Sequence, residues 1–234
     1  MKTFSMKGVI ATAALAMGFA APAAAIPIEL GLVIDGSGSI SASNFDLQRN
    51  AYISVLQDTS IIPQDGSIAI GIVQFSTSAQ IEFPVTIIDA TTIGNLVTAL
   101  QNMTQLNGRT CIGCGVSTAS NDIFGNVIAS DRQVIDVSTD GGNNVGDVTA
   151  AVNAALAAGI EQVNCLGIGQ FANCSFIGGA GSFSLTATGF NDFESALRTK
   201  LLRETGRTPG VPEPASLALL GVGLLGFAAA RRRR

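Results

Sequence analysis

IELGLVIDGSGS, residues 28–39, is the stretch on which the fold turns. Ile28 to Ile34 is an apolar run of strand length, rich in branched side chains, and it stops at Asp35 in a turn made of Gly36, Ser37, Gly38 and Ser39. A buried strand that ends on a carboxylate and hands over to a helical pattern is the opening unit of a sheet covered by helices.

Working outward, the same alternation continues. A helix is expected from about Ser43, which would cap it, with Phe45, Leu47, Tyr52, Val55 and Leu56 facing the core. Ser67 to Phe75 and Gln80 to Val85, parted by the polar Ser76, Thr77 and Ser78, read as a hairpin. A helix over Thr92 to Asn102, the Gly108, Arg109, Thr110 loop and a helix over Gly113 to Phe124 follow. Strand Gln133 to Ser138 runs into Asp140, Gly141 and Gly142; a helix spans Val145 to Ala158; Gln162 to Ile168 is another strand. After a Gly-rich loop, Phe183 to Thr186 reads as an edge strand and Asp192 to Glu204 as the closing helix. The expected fold is a three-layer, doubly wound α/β domain. Its sheet is mostly parallel with one antiparallel edge strand, and its ligand crevice lies at the carboxyl ends of the strands.

The two ends of the 234-residue chain differ from its middle. Lys2 and Lys7 precede an uncharged run from Gly8 to Ala20, and Ala23, Ala24 and Ala25 offer small side chains to a signal peptidase, so residues 1–25 are expected to be a removed signal peptide. At the far end Pro212, Glu213 and Pro214 lead into an apolar stretch from Ala215 to Ala230, closed by Arg231 to Arg234. Such a helix reaches only about 24 Å against a hydrocarbon core of roughly 30 Å, a marginal span whose arginines would hold its tail on the cytoplasmic side. This order of parts resembles the PEP-CTERM sorting signal. The resemblance implies transient insertion of the short transmembrane helix in the inner membrane of a Gram-negative bacterium. Cleavage by an exosortase then delivers the protein to the cell surface or exterior. A plain C-terminal anchor is the alternative. The chain therefore divides into residues 1–25, a domain over 26–208, and a sorting segment over 209–234.

With the ends removed, residues 26–210 hold seven basic side chains against sixteen acidic ones, a net charge near −9. That balance argues against nucleic acid or anionic lipid as partner and favours cations. Four cysteines, Cys111, Cys114, Cys165 and Cys174, suit an oxidising compartment. Three pairings are open. Cys165 with Cys174 is the favoured one, stapling a short loop for roughly 2–3 kcal/mol, and Cys111 could then close on Cys114. A redox-active pair is the alternative reading of Cys111 and Cys114.

Three turns expected at one edge of the sheet carry hard oxygen donors: Asp35, Ser37 and Ser39; Thr110; and Asp140. Carboxylates and hydroxyls in a chain with no histidine suit Mg²⁺, Mn²⁺ or Ca²⁺ rather than zinc or copper, and Gly36 and Gly38 are expected to let the first turn close tightly. Asp35-x-Ser37-x-Ser39 after an apolar strand, Thr110 three residues before Gly113, and Asp140 before Gly141 together resemble the metal-ion-dependent adhesion site (MIDAS) of von Willebrand factor type A domains, over about Ile28 to Glu204. The resemblance implies that Ser37, Ser39 and Thr110 coordinate directly, that Asp35 and Asp140 supply charge, and that Mg²⁺ is the first choice of ion. It also implies that an acidic protein or polysaccharide completes the ion's shell. Asp136, inside an apolar run, needs a partner. Asn143, Asn144 and Asp147 are expected to be solvated turn residues rather than a second cation loop.

The expected function is an exported adhesion or binding module, with a structural or assembly protein of the exopolysaccharide matrix as the alternative. Enzymatic turnover is not expected. A serine nucleophile would lack an imidazole base, and Ser37 stands where an aspartyl-phosphate mechanism usually has its second acid.

Overall fold

The structure is a computed structural model that describes residues 28–207. The signal-peptide, sorting-motif and transmembrane expectations lie outside those residues. Among the described residues no helix is long and apolar enough to cross a membrane.

Eleven elements follow one another: β1 (Ile28–Asp35), α1 (Ala42–Leu56), β2 (Asp65–Phe75), β3 (Ala79–Asp89), α2 (Ile93–Asn102), α3 (Ile112–Gly125), β4 (Arg132–Thr139), α4 (Val148–Ala158), β5 (Gln162–Ile168), β6 (Ser184–Ala187) and α5 (Phe193–Glu204). The sheet runs in the order β3-β2-β1-β4-β5-β6. Every neighbouring pair is parallel except β2 with the edge strand β3. The expected doubly wound sheet with one antiparallel edge strand is therefore the observed one. Its order reverses between β1 and β4, where the following loops part to opposite faces and leave a crevice.

The central strands are buried on both faces, as parallel strands between helices must be. On one side Leu30, Leu32, Ile34, Ile68, Ile70 and Ile72 pack with Phe45, Tyr52, Leu96, Phe193 and Leu197 of α1, α2 and α5. On the other, Val33, Val73, Phe75, Ile135 and Val137 meet Val116, Ala119, Val152 and Ala155 of α3 and α4. Gly115 lets α3 lie close on β1, since a Cβ there would stand 2.5 Å from Val33 Cγ1.

Three local expectations are corrected. Helix α1 is capped by Ser41, which accepts from Asn44 N at 3.3 Å, and Ser43 lies inside the first turn. Leu47 is 42% exposed. The buried positions run Phe45, Gln48, Tyr52, Val55 and Leu56, the spacing one helix face requires, and Leu47 falls off it. Helix α4 begins at Val148 rather than Val145, because Asp147 accepts from Ala150 N at 3.0 Å and Gly146 has φ +68°, so residues 143–146 are drawn off the helix axis.

Candidate functional site

The crevice at the β1/β4 switch collects four of the five expected ligands into one hydrogen-bonded chain. Ser37 N donates to Asp35 Oδ1 at 2.8 Å, the Ser37 and Ser39 hydroxyl oxygens are 3.1 Å apart, and Ser39 Oγ donates to Asp140 Oδ1 at 2.7 Å. Asp35 and Ser37 are fully buried. Burial first, and the nearby Asp140 charge last, raise the Asp35 carboxyl to about 6, while hydrogen bonds from Ser37 and Thr139 pull the other way.

Thr110 arrives on a separate loop that is pinned to the first turn. Gly38 N donates to Gly108 O at 2.9 Å, and Asn107 N donates to Gly36 O at 2.8 Å. The Thr110 side chain is 5% exposed. Its backbone N–H is held by Asn144 Oδ1 at 2.9 Å, and Thr110 O accepts from Asn144 N at 2.8 Å. That ladder joins the Thr110 loop to the Asp140 loop, so all three turns touch one another.

Gly36 and Gly38 are needed for space and not for a left-handed backbone. Neither has a positive φ. A Cβ on Gly36 would collide with the Gln74 side chain, and one on Gly38 would stand 3.2 Å from Gly108 O.

Several supporting side chains escaped the sequence reading. Thr139 Oγ1 donates to Asp35 Oδ2 at 2.7 Å, and Gln48 Nε2 donates to Asp35 O at 2.9 Å from the buried face of α1. Gln74 accepts from Leu106 N and donates to Thr104 O, tying β2 to the loop that presents Thr110. Asn143 accepts from Ile112 N at 2.8 Å and donates to Val145 O and Gly146 O. Asn143, Asn144 and Asp147 thus brace the site and α4 from a turn in which Asn144 and Asp147 are exposed, as expected of solvated turn residues. A polar Gln48 on a helix face otherwise apolar was the one sequence signal of this scaffold.

Both disulfides lie beside these loops. Cys111 pairs with Cys114 in the first turn of α3, next to Thr110, and Cys165 pairs with Cys174 across the loop after β5. That loop meets the Asp140 turn through Asn173 N, which donates to Gly141 O at 3.1 Å. Asp136 finds its partner far from the crevice: it and Glu204 share the fully buried Lys200 ammonium.

Asp35, Ser37, Ser39 and Asp140 bring together two carboxylates and two hydroxyls, hard-oxygen donors of the kind Mg²⁺ accepts, with Thr110 on the adjoining loop. Among the described residues no group of three or more His, Cys, Asp or Glu side chains is placed to hold an ion, so an ion here would depend on the hydroxyls.

The family described as protein of unknown function (DUF1194) matches residues 25–209, and the PEP-CTERM protein-sorting motif matches residues 210–234. Cochlin from Bos taurus is 31% identical over 133 residues, 57% of this chain and 24% of cochlin; Homo sapiens cochlin is 30% identical over the same shares. The chain thus spans about a quarter of the length of the curated relatives it matches. Among solved structures, proximal thread matrix protein 1 from the mussel byssus, in a form with a zinc-occupied MIDAS motif, superposes with a TM-score of 0.59 at 20% identity, covering 75% of this chain and 47% of that one. BatB from Bacteroides thetaiotaomicron superposes with a TM-score of 0.57 at 16% identity, over 77% of this chain and 100% of BatB. The fold is that of von Willebrand factor type A proteins.

Proposed function

We propose, for a chain that belongs to the DUF1194 family and ends in a PEP-CTERM sorting motif, that it is an exported binding module which holds a divalent cation at the β1/β4 crevice and receives an acidic ligand there. The observation that carries this reading is the Asp35, Ser37, Ser39, Asp140 chain of contacts, with Thr110 fastened beside it by Asn144. Asp35 and Asp140 would give the cation its charge, and Ser37, Ser39 and Thr110 would hold it through neutral oxygens. Bound there, Mg²⁺ would supply an electrophilic position for a carboxylate oxygen, since only two carboxylates temper its charge.

Arg109 supports the choice of an acidic ligand. No other lysine or arginine occurs in the loops at this edge, residues 36–41, 76–78, 103–111, 140–147, 169–183 and 188–192. Its exposed guanidinium donates to Asn144 O at 2.6 Å, one loop away from Asp140, and keeps further N–H groups to offer. In a domain of net charge near −9, a single arginine beside the crevice marks where an anion is tolerated.

The role is binding rather than turnover, since no imidazole in the chain could serve Ser37 or Ser39 as a base. Processing at the sorting motif by an exosortase, and removal of residues 1–25 by signal peptidase, belong to the same reading. Calorimetric titration of Mg²⁺ into the wild type and Asp35→Ala tests it: the variant should lose ion binding and, with it, capture of extracellular polymer. Unchanged ion binding in Asp35→Ala overturns the metal site. Capture indifferent to a chelator points instead to a matrix protein that uses the fold without an ion.

A further inference from the structure

A hollow of about 420 Å³ lies beside the Asp140 turn and is not used by the proposed ion site. It opens between the 141–147 loop and the loop closed by Cys165 and Cys174, and Asn143, Asp147, Val148, Asn173, Ser175 and Phe176 line it. The Asn173 N to Gly141 O bond at 3.1 Å fixes its two walls to each other, and a Cβ on Gly142 would meet Asn173 Cβ at 3.7 Å.

The chemistry of the lining is selective. Asn143 spends both ends of its amide on the backbone, Asp147 Oδ1 caps α4, and Asn173 Oδ1 accepts from Ser175 N. Left for a ligand are the Asn173 amide N–H groups, the Ser175 hydroxyl and the second Asp147 oxygen, over a floor of the buried Phe176. No lysine or arginine lines the hollow. Neutral donors, one carboxylate acceptor and an aromatic floor answer the hydroxyls and the C–H face of a sugar ring. A second acidic side chain would meet Asp147 there with no cation to offset it. Phe171, on the same disulfide-closed loop, is 77% exposed, the most exposed aromatic side chain among the described residues. An aromatic ring held in water on an anchored loop is a ready stacking platform for a further sugar face.

We propose that this hollow is a sugar subsite adjoining the ion, so that the acid received at the crevice is a uronate of a polysaccharide. The inference rests on the metal reading above: the uronate carboxylate goes to the ion and the neighbouring ring to the hollow. The test uses the full chain with Mg²⁺ and three probes of equal length: an oligosaccharide in which a uronate alternates with a neutral sugar, a glutamate oligomer and a neutral galactose oligomer. The alternating oligosaccharide should bind in preference to the other two and be released by chelator. Phe171→Ala and Ser175→Trp, the second filling the hollow from an exposed position, should each weaken it about tenfold or more while Mg²⁺ titration and thermal melting stay unchanged. Intact Mg²⁺ binding with the glutamate oligomer preferred, or with both variants binding the alternating oligosaccharide as the wild type does, overturns the sugar subsite alone and leaves an acidic protein as the ligand. Absence of Mg²⁺ binding in the wild type overturns the metal reading and this one with it.

Discussion

Replacing Lys200 with methionine should cost about 3–5 kcal/mol of stability, the usual penalty for stripping a buried charge pair of one partner. Lys200 is fully enclosed, donates to Asp136 and Glu204, and lies 5.2 Å from the Phe183 ring centroid. Methionine keeps most of the apolar stem, so little cavity opens and the loss is that of the counter-charge. Burial first, and the Asp136 charge second, push the Glu204 carboxyl up to about 8, so it keeps its proton at neutral pH. Asp136 Oδ2 and Glu204 Oε2 already lack partners, and the variant would leave both carboxyl groups without a cation. A loss of 1 kcal/mol lowers the Tm of a domain of this size by about 2–4 °C, so circular dichroism at pH 7 should show a fall of roughly 6–20 °C. The raised Glu204 value also fixes a sign: its contribution is fully present below about pH 4.5 and is lost as pH rises through about 8. The wild type should weaken across that window, and Glu204→Gln, which mimics the protonated carboxyl, should flatten the decline while melting near the wild type below about pH 4.5. A Lys200→Met variant melting within about 2 °C of the wild type refutes the counter-charge reasoning.

Arg109→Gln should leave Mg²⁺ titration unchanged and weaken anionic ligands about tenfold, with a shallower dependence on salt, because one charge-assisted contact is removed. Asn144→Ala takes the acceptor from Thr110 N and should weaken Mg²⁺ about 10- to 100-fold in calorimetry with the fold retained, as loss of a ligand-orienting residue does. In acid, Asp58 and Asp89 should carry part of the transition. The Ser60 hydroxyl and then Arg198 hold Asp58 at about 2, and the Thr91 hydroxyl and then the Thr92 N–H hold Asp89 at about 2. Both lie below the ordinary carboxylate value, so their stabilisation is present above about pH 4 and is lost as pH falls through about 2. A pH series of melts should show that loss, and Asp58→Asn should make it shallower.

The β1, β4 and β5 strands and their turns were legible because buried parallel strands write continuous apolar runs, which end where the chain must turn. The crevice followed from topology, since three donor-bearing turns left strands or entered helices on the same side. The start of α4 was misplaced because Val145 continues an apolar pattern, while the Asp147 cap and the positive φ of Gly146 set the first turn later. Leu47 was misassigned because hydrophobicity was read without phase; Gln48, one residue on, occupies the inward face and spends its amide on Asp35 O. The tight closure of the first turn was legible, but not the neighbours that demand it of Gly36 and Gly38. Their need for room comes from Gln74 and Gly108, which are remote in sequence.

The two covalent staples each lie beside a wall of the β1/β4 crevice, one at the residue after Thr110 and the other in the loop that meets Gly141. A chain whose sulfurs are still thiols holds these loops by hydrogen bonds alone. Both staples can form only once the exported polypeptide has left the reducing cytosol, so the covalent stiffening of this edge comes last. On the binding role proposed above, the edge would reach its final rigidity outside the cell's reducing interior, where its ligand is met.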